Sequence, residues 1–475
     1  MAFWTSVTFL LVLVVLSWAN GALSFDEKQL FSLKKLQWAQ RDEAGSCFLQ
    51  KSRTQNGANI LEMKHQHYCS GPIRDLDEKL KKRLISEDNR VKSIQFRIKN
   101  LISNQKDFTP QTQIPINSGI KLQTLNYIVT ITLGSRNLTV IVDTGSDLTW
   151  VQCQPCKLCY SQPEPLFNPL ISPSYQSVQC KSQECQTLQS ATGNLGSCGT
   201  NNPSICNYLV TYGDGSYTRG ELGKDRLILG TTPVDDFVFG CGRNNKGLFG
   251  SASGLMGLGR SDLSLVSQTS NAFGGVFSYC LPDSDAAASG SLVLGPDATV
   301  FKNLTPISYT RLVQNPQLFS FYILNLTGTS IGGVNLQSPS FGKVGILIDS
   351  GTVITRLPPS IYTALKTEFL KQFSGYPSAP GFSILDTCFN LTSYEEVNIP
   401  TLKMDFEGGS EMSVDVSGMF YFVKRDASQV CLALASLAYE NEIGIIGNYQ
   451  QRNMRVVYDT KEMKVGFAKE ICSFN

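Results

Sequence analysis

One short pattern occurs twice in this 475-residue chain. Val140-Ile-Val-Asp143-Thr-Gly-Ser-Asp returns as Ile346-Leu-Ile-Asp349-Ser-Gly-Thr-Val. Each copy is an apolar strand that runs into Asp, a hydroxyl residue, Gly and a second hydroxyl residue. Each is followed roughly a hundred residues later by two apolar residues and a glycine, Leu255-Met256-Gly257 and Ile445-Ile446-Gly447. A chain of this length exceeds what one hydrophobic core serves. Two similar halves, each with an Asp at a strand end, therefore predict a two-lobed body with a pseudo-twofold axis. The boundary should fall near residues 296–306.

The texture between the repeats is β. YIVTITLG, RLILG, VDDFVFG, SLVLG, FYILNLTG, VCLALAS and MRVVYD are apolar runs closed by turn residues, as strands are. Helical signals are few: Ser264–Thr269, Pro359–Phe373 and Gln450–Met454. The fold class is mainly β.

The chemistry is narrowed by an absence. Both histidines, His65 and His67, precede residue 110. Ser-His and Cys-His nucleophilic catalysis and His-ligated zinc are thereby excluded from the body. Carboxylate chemistry or a cysteine-only metal site remains. One Asp-Thr-Gly is weak evidence, since Asp and Gly are common in turns. Two copies on matching strand ends are much stronger. If the loops meet, two carboxylates sit side by side and hold one proton over an acidic range. The ionised partner can then activate water while the protonated one donates to a carbonyl oxygen. Gly145 and Gly351 let the backbone turn sharply. The hydroxyls of Thr144, Ser146, Ser350 and Thr352 can tie the loops together and orient the acids.

The beginning of the chain differs from the rest. An apolar run from Phe9 to Leu16 followed by small residues reads as a secretory signal peptide over 1–24, although its first residues carry no Lys or Arg. Residues 1–110 hold 17 Lys and Arg against 11 Asp and Glu; the remainder holds 24 against 28. A basic leader thus precedes an acidic body. Leu80, Leu84, Val91, Ile94, Ile98 and Leu101 recur at helical spacing among basic residues. A solvated helix or a nucleic-acid-binding stripe would share that pattern. Its place between signal and body favours a propeptide over 25–110 that blocks the body and is cut near Asp107–Pro115. Acid would neutralise body carboxylates and loosen it. Fourteen cysteines, two in the leader (Cys47 and Cys69) and twelve beyond residue 150, fit an oxidising compartment. Glycosylation sequons stand at Asn137, Asn303, Asn325 and Asn390.

From about Tyr127 to Ala468 the chain resembles the pepsin-like aspartic proteases, and more closely their plant nepenthesin-like branch. Asp143-Thr-Gly-Ser with Trp150 seven residues on is similar to the first catalytic loop, and Asp349-Ser-Gly-Thr to the second. Tyr212-Gly213-Asp214-Gly215-Ser is similar to the flap hairpin. The resemblance implies a bilobal acid-protease fold with lobes over 111–300 and 301–475. It implies an Asp143/Asp349 dyad hydrolysing polypeptide substrates without cofactor or metal, and Tyr212 closing the site with Trp150 as its hydrogen-bond partner. The insert Cys153–Cys206 resembles the nepenthesin insert. It implies the pairs Cys153–Cys156, Cys159–Cys241, Cys180–Cys206, Cys185–Cys198, Cys280–Cys472 and Cys388–Cys431. A monomer held by its own propeptide and exported to the apoplast is expected; vacuolar or chloroplast delivery stays open. Two competing functions are a pepsin-fold binding or inhibitor protein, which the intact Asp pair and Tyr212 oppose, and a DNA-associated plastid protease, which the acidic body opposes.

Overall fold

The computed structural model describes residues 27–33, 51–65, 76–103, 126–199, 202–212, 215–247, 249–282, 289–296 and 305–472. The signal segment, Cys47, Cys69, the expected maturation segment, Gly213, Asp214 and Asn303 lie outside them, as do residues 297–304 at the expected lobe boundary.

The two lobes repeat one arrangement around their Asp strands. Strand Arg136–Asp143 runs parallel to Gly254–Gly257, with Val142 opposite Met256 and Asp143 opposite Gly257. Strand Ile346–Ile348 runs parallel to Gly444–Ile446 in the same way. On the far side of each inner strand lies the strand that follows the Asp loop. Trp150 pairs antiparallel with Leu255, and Arg356 with Ile445. Those outer strands have their own parallel partners, Gly240–Gly242 and Leu434–Ser436. The apolar triplets before each Asp are buried because each strand is covered on both faces. Each carboxylate therefore leaves the end of a strand that cannot shift.

A 16-stranded sheet carries the first lobe and continues across the molecule through Val276–Cys280, Met454–Asp459 and Lys464–Lys469. The second lobe adds one five-stranded and two four-stranded sheets. Helix Pro359–Gln372 buries Ile361, Tyr362, Leu365 and Phe369 against them. Among the expected helices, Ser264–Thr269 is a single turn, Leu265–Gln268, capped by the Ser264 side chain. Gln450–Met454 is not a helix. Gln450 instead uses its amide to bind the Gly418 and Ala433 carbonyls and takes the Thr355 hydroxyl. A buried polar side chain with fixed partners outside its own segment outweighs local propensity there.

The leader is not one helix resting on a finished body. Ser52–Gln55 and Ala58–His65 form a hairpin closed by Asn56-Gly57, whose φ values of 50° and 81° suit a tight two-residue turn. Ala58–His65 lies between Gly290–Leu294 and Tyr127–Leu133 inside the large sheet. Only then comes the expected helix, Leu76–Ser103. It buries Leu80, Leu84, Val91, Ile94 and Ile98, but leaves Leu101 exposed. Burying each such side chain is worth roughly 1.5–3 kcal/mol. Leu80 and Leu84 join a cluster with Val353, Ile354 and Tyr421; Val91, Ile94 and Ile98 join one with Phe321, Leu347 and Ile445.

All twelve body cysteines are paired, with four of the expected pairings replaced. Cys153 bonds Cys241, not Cys156, with Cα atoms 5.4 Å apart. The parallel register of Val151 with Cys241 brings those two together. That leaves Cys156 for Cys159 rather than Cys159 for Cys241. Cys185 bonds Cys206, and Cys180 bonds Cys198, in place of Cys180–Cys206 and Cys185–Cys198. Burial sorts these: Cys185 and Cys206 both face the core, whereas Cys198 is exposed and Cys180 partly so. Cys280–Cys472 and Cys388–Cys431 occur as the resemblance implied.

Candidate active site

The two Asp loops meet and grip each other. Thr144 N–H donates to Ser350 Oγ (3.1 Å), and Ser350 N–H donates to Thr144 Oγ1 (3.0 Å). The same hydroxyls pass on to main-chain carbonyls across the axis, Ser350 to Val142 (3.2 Å) and Thr144 to Ile348 (3.5 Å). Each carboxylate sits in an equivalent cradle. Asp143 accepts from Gly145 N–H (3.0 Å) and Ser146 Oγ–H (2.7 Å). Asp349 accepts from Gly351 N–H (2.8 Å) and Thr352 Oγ1–H (2.6 Å). Both are fully buried. The glycines are required by close approach: a Cβ on Gly145 would meet Asp349 Oδ1 at 2.7 Å, and one on Gly351 would collide with Asp143 Oδ1. All the loop residues singled out by sequence thus converge on one point.

A cation from the leader helix occupies that point. Arg90 Nη2 donates to Asp143 Oδ1 (2.8 Å) and to Asp349 Oδ2 (3.0 Å). One nitrogen reaches both carboxylates because they are neighbours. Burial pushes Asp143 up, but the Arg90 charge and the bonds from Ser146 and Gly145 outweigh it and hold its carboxyl low. For Asp349, burial, joined by the Asp143 charge beside it, outweighs Arg90 and leaves the carboxyl raised. The two carboxylates in turn hold Arg90 firmly in its charged form, against its burial.

The helix makes further ionic contacts on either side. Glu87 Oε2 accepts from Arg356 Nη2 (2.6 Å), and Glu87 Oε1 from Ile354 N–H (3.0 Å). Arg97 lies 3.6 Å from Asp147 and over the Phe321 ring. Burial drives Asp147 up to about 6, against the pull of Arg97. The leader therefore does not dock simply as base on acid: one of its buried pairs has the reverse polarity. None of these partners was singled out from sequence. A usable signal existed, because Arg83, Arg90 and Arg97 stand seven residues apart and so share a helix face.

The Trp150 indole N–H donates to Tyr212 Oη at 2.9 Å, the contact the resemblance implied. Gly215 has φ 79°, as a turn glycine does. Asn137 and Asn390 are exposed, and Asn325 is partly covered, its amide donating to Glu407.

Comparison with known proteins agrees with this geometry. Residues 127–296 match the family described as xylanase inhibitor N-terminal, and 321–469 the one described as xylanase inhibitor C-terminal. An aspartyl protease family protein of Arabidopsis thaliana is 43% identical over 442 residues, covering 90% of each chain. Aspartic proteinase nepenthesin-1 of Nepenthes gracilis is 37% identical and covers 73% of this chain and 78% of its own. Among solved structures, edgp has a TM-score of 0.59 at 20% identity, over 74% of this chain and 95% of that one. Basic 7S globulin from soybean has a TM-score of 0.58 at 20% identity, over 73% and 92%. These structural likenesses show the fold. With relatives of such identity over 73–90% of its length, the chain belongs to the pepsin-like plant aspartyl proteases, in their nepenthesin-like branch.

Proposed function

We propose that the chain is an aspartic endopeptidase made as a zymogen, with Asp143 and Asp349 as the catalytic dyad and residues 25–110 as the propeptide that keeps it latent. The observation that carries this reading is the paired cradle: two buried carboxylates, held alike, close enough to share one cation. Once Arg90 is gone the carboxylates cannot both ionise cheaply, so the pair retains one proton. The ionised member takes a proton from water, which attacks the peptide carbonyl. The protonated member donates to the carbonyl oxygen. A tetrahedral diol forms and collapses as the leaving nitrogen takes up a proton. The titration belongs to the pair rather than to either residue. The loop N–H groups and hydroxyls fix the acid oxygens in place beforehand, so little reorganisation is needed in the reaction.

In the latent chain, Arg90 sits on the oxygens that the water and the carbonyl need. The flap, with Tyr212 braced by Trp150, closes over substrate. Lobes over 111–300 and 301–475 flank the cleft. A signal peptide over 1–24 and export fit the six body disulfides.

A second reading, a pepsin-fold protein that binds other proteins without cleaving them, is favoured by the matching families' description as xylanase inhibitors. The two are separated by one experiment. The full chain is expressed, treated with acid, and tested on denatured protein and quenched peptides from pH 3 to 7, with and without pepstatin. Acid-range hydrolysis blocked by pepstatin and absent in Asp143→Asn and Asp349→Asn supports the protease. A folded, leader-free protein that cleaves nothing supports the binding protein.

A further inference from the structure

Arg356 stands seven residues after Asp349, the position Trp150 holds after Asp143. Their strands are equivalent, so Arg356 lies where the first lobe places the aromatic that backs its flap. It is an unusual residue to bury, and it is only 1% exposed. Among the described residues its ion-pair partners both come from the leader helix. Glu87 of the leader helix meets it at 2.6 Å and takes the Ile354 N–H at 3.0 Å, so two donors grip the two oxygens of one carboxylate. Asp88, also from the helix, lies 3.6 Å away. Arg356 Nη1 is buried and has no hydrogen-bond partner among the described residues.

We propose that Arg356 and the Ile354 N–H form a carboxylate recess in the cleft, filled by Glu87 in the latent chain and by an acidic side chain of the polypeptide substrate afterwards. This deepens, and rests on, the reading of the chain as an aspartic endopeptidase with a removable propeptide. When the helix leaves, a buried guanidinium loses its anion and a backbone donor its acceptor. Both losses are costly wherever those groups stay shielded from water. A carboxylate restores both bonds with charge assistance, whereas a neutral amide offers a single acceptor oxygen. The recess also has a position. Glu87 is three residues from Arg90, about 4.5 Å along the helix. An extended substrate advances about 3.3 Å per residue. The acidic side chain therefore belongs one or two residues from the scissile bond.

Among the described residues, the titratable groups facing Arg356 are Glu87 and Asp88 from the helix and Tyr362 from the body. With the helix gone and Tyr362 neutral, the substrate's own carboxyl sets the pH dependence. Burial in the recess raises a carboxyl held there, as it raises that of Glu87, so the preference should hold above that raised value and vanish in acid.

The test uses the acid-treated full chain and quenched peptides with Glu or Gln at each of the two positions on either side of the cleaved bond. At pH 6 one position should favour Glu about tenfold in kcat/KM, through KM. The ratio should fall to one at pH 3.5, and also at pH 6 in Arg356→Met. Arg356→Lys should keep part of the preference and controls for misfolding. If Gln peptides are cleaved and no position favours Glu at pH 6, the recess is refuted while the protease reading stands. If no peptide is cleaved, the protease reading fails. The recess is then read by binding of a labelled 76–103 peptide carrying Glu or Gln at position 87. Tenfold tighter binding of the Glu form supports the recess, and equal binding refutes it.

Discussion

The Asp143 and Asp349 loops are alike up to the third residue after the acid and then diverge. The fourth position is Asp147 in one lobe and Val353 in the other; the seventh is Trp150 in one and Arg356 in the other. Both fourth residues are buried beside the leader helix, but Asp147 meets Arg97 while Val353 packs with Leu80 and Leu84. At the seventh, Trp150 braces Tyr212 within its own lobe, whereas Arg356 depends on a leader glutamate. The shared part of the pattern builds an equivalent cradle twice. The divergent part makes the two walls of the cleft chemically different. The symmetry thus lies in the cradles of the two carboxylates, and the asymmetry in the groups that surround them.

The sharpest way to break this comparison is at the acids. Asp143→Asn and Asp349→Asn should each lower peptide hydrolysis about a thousandfold or more, despite their different surroundings. Retention of a tenth of the activity in either variant would show that the cradles are not equivalent in function.

Next in size is the shared cation. Arg90→Gln should raise hydrolysis by the uncut chain at neutral pH about a hundredfold, because both carboxylates lose their buried partner. The sign of the pH effect follows from Asp143. Arg90 holds its carboxyl low, so this part of the leader's grip is complete above the ordinary Asp value, near 4, and is lost as pH falls through the depressed one. Glu87 acts in the opposite sense. Burial raises its carboxyl above the free value despite Arg356, so its contribution is greatest in acid and weakens as pH rises through that raised value. Limited proteolysis of the helix against pH should therefore show acid release in the wild type and much less acid dependence in Arg90→Gln.

The flanking pairs give a smaller contrast. Glu87→Gln should weaken helix docking about tenfold, and Arg97→Gln only a few-fold. The first pair is buried and in contact at 2.6 Å, whereas the second is at 3.6 Å with Arg97 24% exposed. Equal effects in the same proteolysis assay would mean that the two walls hold the leader alike. Smallest is Tyr212→Phe. It removes one hydrogen bond, worth about 1 kcal/mol, and should lower kcat/KM a few-fold in peptide kinetics.

Much of the site was legible because its chemistry is local. Asp, Gly and the hydroxyl residues must follow one another at fixed spacing to build a cradle, and the spacing is visible in the chain. The helix was legible from its apolar stripe for the same reason. Arg90 was legible only as one of three: helical spacing picks Arg83, Arg90 and Arg97 out of the 17 Lys and Arg of the first 110 residues, and no local rule chooses among those three. The four cysteine pairs of the Cys153–Cys241 region failed in the same way, whereas Cys280–Cys472 and Cys388–Cys431 held. Cys153 finds Cys241 through a parallel register set 88 residues away in sequence.

The sequence alone determined the β class, the two-fold repeat, the acid pair and the presence of a basic helix before the body, since each is carried by short-range pattern. Only the tertiary structure decided that Ala58–His65 is woven into the main sheet, that Arg90 is the cation on the acids, and that Glu87 and Arg356 share a buried contact. Those depend on which distant segments are brought together when strands and helix bury their apolar faces. That choice is made by packing and burial across the whole chain rather than by any residue's neighbours.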